Sequence, residues 1–339
     1  MSYTYLGSII LLIIGVAGCG KDVPLEVDEP YLLQIPEGFP SPPMPAENQL
    51  TQKRVELGRM LFFDKALSAD STLACASCHL PALAFTDGRK VSQGIQQAPG
   101  FRNAPTLGNI AYHPYFFRDG GVPTLEQQVL APIEDPAEMG FSVWGVVDRM
   151  MGNPRYVALS QVAYGRQPDA FVLTRALAAF ERTLITGNAP FDHFFFKKDT
   201  AAISPSALRG FQLFTSPKTS CSVCHAGFDF TDYSFRNIGL YEAYPDTGRK
   251  RITGMDSDYG KFKVPSLRNV QLTAPYMHDG SIATLREVIL HYNAGGANNP
   301  YKDPLIRPLH LTATEVEDLE HFLHALTDLT FIENSSLHP

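Results

Sequence analysis

The chain has 339 residues, 44% of them hydrophobic and 19% charged, with 28 basic against 35 acidic side chains. That composition excludes a largely disordered chain and suits two domains or one large one. A net charge of −7 argues against nucleic acid as a partner, because phosphate binding needs a basic face.

At the amino end, Leu6 to Gly18 is an apolar run too short to cross a bilayer comfortably, closing on Val16-Ala17-Gly18-Cys19. Small residues before a cysteine resemble a bacterial lipobox. This predicts a lipoprotein signal peptide over 1–18, lipidation of Cys19, and a periplasmic protein held to the membrane by its anchor. An export signal cut elsewhere is the alternative, since Met1 to Tyr5 carries no Lys or Arg. The proline-rich stretch over 19–50 reads as a tether. Farther on, Leu173, Leu177, Phe180 and Leu184 recur at helical spacing and read as core. Turn residues Asn188-Ala189-Pro190 place a boundary between a domain over 51–190 and a second over 191–330. Ser204-Pro205 ahead of Leu208, Phe211 and Phe214 opens a helix. Val316, Leu319, Phe322, Leu323 and Leu326 form a last helical stripe, capped by Thr312 or Thr314, and 331–339 is left as a tail. Strand-like alternation is scarce and Gly and Pro number 26 each, so the expected architecture is mainly α, short helices joined by long loops.

Beyond Cys19, four cysteines fall as Cys75-Ala76-Ser77-Cys78-His79 and Cys221-Ser222-Val223-Cys224-His225. Both are C-x-x-C-H. Two thiols one helical turn apart can add to the two vinyl groups of haem, and the histidine after them becomes an axial iron ligand. Two covalently bound haem c groups are therefore expected, on His79 and His225. A thioredoxin-like redox pair needs no following His, and a zinc site rarely splits its halves so widely.

An offset of 160 pairs Pro105-Thr106-Leu107-x-Asn109-Ile110 with Pro265-Ser266-Leu267-x-Asn269-Val270, Asp119-Gly120 with Asp279-Gly280, and Thr124-Leu125 with Thr284-Leu285. Upstream, Gly58-x-x-Leu61-Phe62 matches Gly210-x-x-Leu213-Phe214. The reading is two cytochrome c-like haem domains arising from an internal repeat. At this offset Pro132 corresponds to Tyr292. Proline cannot ligate iron, whereas a tyrosine phenolate can, so the His79 haem should be open and the His225 haem closed. Met277, Met255, His278 and His291 stay as other candidates for that second ligand. Glu138, with Gln128, could overhang the open iron, and a carboxylate with a raised pKa can move a proton between peroxide oxygens. Glu134 and Asp135 compete for that role.

With these residues the chain resembles the bacterial dihaem cytochrome c peroxidases and the related enzyme MauG, over roughly Leu57 to Asp328. The phrases that carry the likeness are Ala84-Phe85-Thr86-Asp87-Gly88, Arg102-Asn103-Ala104-Pro105-Thr106-Leu107, Phe180-Glu181-Arg182-Thr183-Leu184-Ile185-Thr186 and Leu267-Arg268-Asn269-Val270-Gln271-Leu272-Thr273-Ala274-Pro275-Tyr276. The resemblance implies a peroxidatic first haem and an electron-feeding second one, and it puts the family's active-site Gln, Pro and Glu on Gln128, Pro132 and Glu138. It also implies a calcium ion between the domains, held by the Asn103 side chain and the carbonyls of Thr273 and Pro275.

Three departures bear on subtype. Many of these peroxidases carry a distal histidine before Arg102-Asn103, where this chain reads Ser92-Gln93-Gly94-Ile95-Gln96-Gln97; the first haem should then be open when fully oxidised. Tyr292 stands where standard peroxidases place Met and MauG places Tyr. The family's tryptophan between the haems aligns with Arg118, so Tyr115 or Phe117 would have to carry electrons there, the only tryptophan being Trp144. The expected function is reduction of hydrogen peroxide at the first haem with electrons from a small donor protein or a quinol. The alternatives are a MauG-like oxidase that modifies a residue of a partner protein through high-valent haem, and a non-catalytic dihaem electron carrier. A homodimer is kept among the expected assemblies.

Overall fold

The computed structural model describes residues 27–339, and Cys19 with the expected signal peptide lies outside the described residues. Among the described residues no helix is long and apolar enough to cross a membrane. The first half carries α1 (Gln52–Phe63), α2 (Leu125–Gln128), α3 (Leu130–Glu134), α4 (Val143–Met151), α5 (Pro154–Tyr164) and α6 (Ala170–Glu181). The second carries α7 (Pro190–Phe195), α8 (Pro205–Phe214), α9 (Cys221–Cys224), α10 (Lys250–Thr253), α11 (Leu285–Ala294), α12 (Ala313–His324) and α13 (Leu329–Glu333). Its strands β1 (Phe235–Arg236) and β2 (Phe262–Lys263) pair antiparallel, with Phe235 opposite Lys263.

The two larger apolar cores each form around a pair of crossed helices. Leu57, Leu61 and Phe62 of α1 meet Leu173, Ala176, Leu177 and Phe180 of α6, all fully buried. The crossing is close because Gly58 has no Cβ; one placed there would lie 1.8 Å from the Ala176 carbonyl oxygen. The same device recurs where α8 crosses α12, a Cβ on Gly210 falling 1.9 Å from the Asp318 carbonyl oxygen. There Phe214, Val316, Leu319 and Phe322 are buried together. The caps expected for these helices form. Ser204 accepts from the Ala207 N–H at 3.1 Å, and Thr312, rather than Thr314, accepts from the Glu315 N–H at 3.2 Å. Glu315 reaches back to the Thr312 N–H at 2.8 Å, completing a capping box.

Matching local structure stands at the matching sequence positions. Asn109 and Asn269 are both left-handed, with φ 60° and 56°, and their N–H groups donate to Leu184 and Leu326 carbonyls at 2.7 and 3.1 Å. Phe116 bridges to Val122 as Tyr276 does to Ile282. Thr124 and Thr284 each cap the helix that follows. The halves are joined at Asp328, whose Oδ2 accepts from Thr186 Oγ1 at 3.0 Å, Gly187 N–H at 3.0 Å and Asn188 N–H at 2.9 Å.

The two ends of the described chain differ from expectation. Of the stretch read as a tether, residues from Asp28 onward lie against the body. Pro30 bridges to Thr51, Phe39 packs against Tyr112 and Phe228, and buried Asn48 donates to Glu126 at 2.8 Å. Tyr31, Leu33 and Phe39 supply apolar surface among the prolines, which is what docks the segment. The tail is likewise structural. Phe331 and Leu337 are buried in the first core, Phe331 with its ring 5.6 Å from that of Phe85, and Arg59 donates to the His338 carbonyl at 3.1 Å.

Candidate haem-binding sites

Each C-x-x-C-H motif occupies one tight turn. Cys75–Ser77 form a 3-10 turn with the His79 N–H donating to the Cys75 carbonyl at 3.1 Å; α9 spans the second pair, and the His225 N–H donates to Cys221 at 3.0 Å. The turn after each motif then folds back beneath the histidine. Phe85 and Phe230, both at positive φ, present carbonyls to the imidazole Nδ1 of His79 at 2.8 Å and of His225 at 3.0 Å. Nδ1 is the donor there, which leaves Nε2 free to bind a metal. Burial pulls the pKa of both rings down, holding them neutral as a ligand must be.

The cysteines distinguish haem attachment from its rivals. Burial pushes all four thiols up, with Glu181 adding to the effect at Cys75. A redox cysteine acts as a thiolate at neutral pH and needs the opposite shift, and a structural zinc site needs four ligands together. None of the four is in a disulfide, and among the described residues no cluster of three His, Cys, Asp or Glu side chains could hold a metal ion. Paired thiols one turn apart, a neutral ring with one nitrogen free and a cavity lined by Phe214, Val270, Leu285, Ile289 and Leu323 around His225 fit haem c.

Tyr292, on α11, lines that cavity with His225, Cys221 and Cys224. Burial and the neighbouring thiols push its pKa up, so a free phenolate is disfavoured and only a cation at its oxygen would keep it ionised. Of the competing ligands, Met255 is 56% exposed, and His291 directs Nε2 to the Ile238 carbonyl at 3.1 Å. Met277 and His278 line the cavity too, the His278 ring stacked on Phe262 at 3.9 Å.

On the first side the equivalent helix is interrupted. Thr124 starts α2, the chain kinks at Val129, and Pro132 sits in the short α3, where its missing N–H and its ring break the ladder that runs uninterrupted through α11. Gln128 closes α2, half-buried. The Glu138 carboxyl lies near enough to Cys75 and Cys78 to raise both thiols. Its own pKa is raised by burial and by Asp135, although the residue retains solvent access. Among the described residues nothing hydrogen-bonds that carboxyl. Asp135 instead caps the turn through the Ala137 N–H at 2.8 Å, and Glu134 is exposed. The histidine-free loop is pinned against the same segment, Ile95 N–H donating to the Glu138 carbonyl at 2.8 Å. A Cβ on Gly94 would lie 1.9 Å from the Ala137 oxygen, so only glycine permits this approach.

Between the halves, Arg118 reaches Asn103 rather than standing as a bystander. Its Nη2 donates to Asn103 Oδ1 at 2.6 Å and its Nε to the Asn103 carbonyl at 3.0 Å. The expected calcium ligand Asn103 is therefore already bonded to a cation through its side-chain oxygen. Tyr115 is exposed, its ring 6.0 Å from that of Phe235, and Phe117 is left-handed at φ 62°. Two buried carboxyls escaped the reading of the sequence. Asp229 accepts from Asn109 Nδ2 at 2.8 Å, Ser266 Oγ and Tyr233 OH at 3.0 Å, and burial raises it to about 6. Glu181, beside Cys75, is pushed by burial to about 8. Glu181 lies inside one of the phrases shared with the family and Asp229 four residues after His225, yet two of the three donors to Asp229, Asn109 and Ser266, are distant in the chain.

Comparison with known proteins agrees with this geometry. The sequence profile of the family described as di-haem cytochrome c peroxidase matches residues 52–201. The methylamine utilization protein MauG of Methylorubrum extorquens is 40% identical over 290 residues, covering 84% of this chain and 81% of that protein. Cytochrome-c peroxidase IdrP1 of Denitromonas iodatirespirans is 37% identical, covering 85% of each. A crystal structure of a MauG-like protein associated with microbial copper homeostasis superposes with a TM-score of 0.86 at 35% identity, over 91% of this chain and 99% of that one. The chain with its two haem-ready turns belongs to the di-haem cytochrome c peroxidase family, the oxidoreductases that include MauG.

Proposed function

We propose that the protein reduces hydrogen peroxide to water at a haem on His79, with electrons delivered through a haem on His225. Bound haem supplies the iron that passes electrons to peroxide. The chain's own part is proton handling and access. Glu138 takes the proton from one peroxide oxygen and returns it to the other, and Gln128 holds the peroxide in place by hydrogen bonding. The observation that carries this reading is Pro132 against Tyr292, each eight residues beyond a capping threonine. One offers no ligand atom, and the other lies in the His225 cavity. The matched asparagines, bridges and helix crossings support taking the halves as copies of one haem domain. Cyanide or azide added to the oxidised holoprotein should bind at one centre; binding at both, or at neither, overturns the proposal.

A second reading, a MauG-like modifier of a partner protein, is favoured by Tyr292 itself. A hard anionic phenolate stabilises oxidised iron, making that haem a poor acceptor from a small cytochrome. Steady peroxide consumption with a reduced small cytochrome or quinol supports the peroxidase. Its absence, with a covalent change on a partner protein, supports the modifier. Export and anchorage through Cys19 are part of the same proposal, and Cys19→Ser should release the protein from the membrane fraction.

A further inference from the structure

We propose that the guanidinium of Arg118 takes the place of the interdomain calcium ion, serving as a built-in cation between the two halves, so that the protein holds no calcium there. The Asn103 side-chain oxygen, which calcium would need, accepts from Arg118 Nη2 at 2.6 Å, and the Asn103 carbonyl accepts from Nε at 3.0 Å. The amide is locked in that orientation because its Nδ2 donates to the Arg89 carbonyl at 2.9 Å. Calcium requires about six to eight oxygens at roughly 2.3–2.6 Å. A dication drawing on an oxygen already bonded to a guanidinium would also sit against a fixed like charge.

The carboxylates nearby are committed elsewhere. Asp119 and Asp246 pair with Arg102 at 2.7 and 2.6 Å, and Asp279 accepts from Tyr241 OH at 2.5 Å. Arg118 instead sits where main-chain bonds cross between the halves, its guanidinium holding Asn103 at that seam. Asn103, which it grips, donates its N–H to the His278 carbonyl at 2.9 Å, and the Arg118 carbonyl accepts from the Lys263 N–H at 2.6 Å. Both partners belong to the second half. The side chain lines the His225 cavity, and although desolvation and Arg102 lower its pKa to about 10, it stays charged at neutral pH.

The test uses the holoprotein purified without chelator. Elemental analysis should find no stoichiometric calcium, and neither EGTA nor added calcium should change the optical spectrum or the midpoint potentials. Arg118→Gln should lower the midpoint potential of the His225 haem, because losing a neighbouring positive charge favours ferric iron, while Arg118→Lys should keep it near the wild-type value. One tightly bound calcium per chain overturns the proposal, as does a spectrum that EGTA alters and calcium restores, or an Arg118→Gln protein with wild-type potentials. If Arg118→Gln takes up no haem, the wild-type calcium content decides alone. None of these readouts depends on peroxide turnover, so they stand apart from the proposed activity.

Discussion

Two glutamates with raised pKa flank the first attachment motif and are expected to behave oppositely. Glu138 has solvent access and no hydrogen-bond partner among the described residues, as a proton shuttle should. Glu138→Gln should slow peroxide cleavage by about 10²–10⁴-fold with both haem spectra kept, measured by stopped-flow mixing with peroxide. Because the shuttle must start ionised and its pKa lies above the ordinary glutamate value, the acid limb of the rate profile should fall at higher pH than a free glutamate would give. Glu181, by contrast, is buried with one oxygen unpaired, and burial lifts it from 4.5 to about 8. The folded protein keeps this proton where the unfolded chain releases it, so stability is full below about pH 4.5 and drains as pH rises towards about 8. Glu181→Gln should flatten that loss, seen as a melting-temperature advantage that grows from pH 5 to 8. Among single residues, the attachment cysteines and histidines were legible in the chain because their spacing is local. Glu181 and Asp229 were not, because what perturbs them is burial by segments far away in sequence.

Helices carry the difference between the halves. The uninterrupted α11 sets Tyr292 in its cavity, whereas Pro132 breaks the corresponding run into α2 and α3. Tyr292→Phe removes the only hydroxyl on that ring, so the His225 haem should become able to bind cyanide, read as a second titrating centre in the optical spectrum. The helix pairs set the frame in which this difference operates. Gly58→Ala would push a methyl group into the α6 backbone, and overpacking of this kind costs about 1–3 kcal/mol, visible as a lowered denaturant midpoint. Helix starts were readable because Ser204 and Thr312 announce themselves by cap chemistry and the apolar stripes follow at helical spacing. The docked segment after Asp28 was not, since prolines gave the composition of a linker while Phe39 and Tyr31 supplied the anchoring surface.

At the scale of the molecule, Asp328 is one of several bridges between the halves, beside Arg102 with Asp246 and Asn109 with Asp229. Asp328 alone gathers three donors from Thr186, Gly187 and Asn188. Asp328→Ala leaves those donors unmet, at about 1–3 kcal/mol for a buried partner. Calorimetry of the holoprotein should then show broadened or split melting. The matched phrases point to the matching local structure in the two halves, but not to the contacts between them. Asn103 with His278 and Asn109 with Asp229 join residues far apart in the chain, the second pair 120 positions apart, and periodicity carries no information about such pairs. The burial of Phe331 and Leu337 in the amino-terminal core also has a bearing on biogenesis. The amino-terminal lobe can close only once residues as late as Phe331 and Leu337 have reached it. Until then Cys75 and Cys78 belong to an unfinished structure, so the porphyrin joined first in sequence need not be the one whose surroundings mature first.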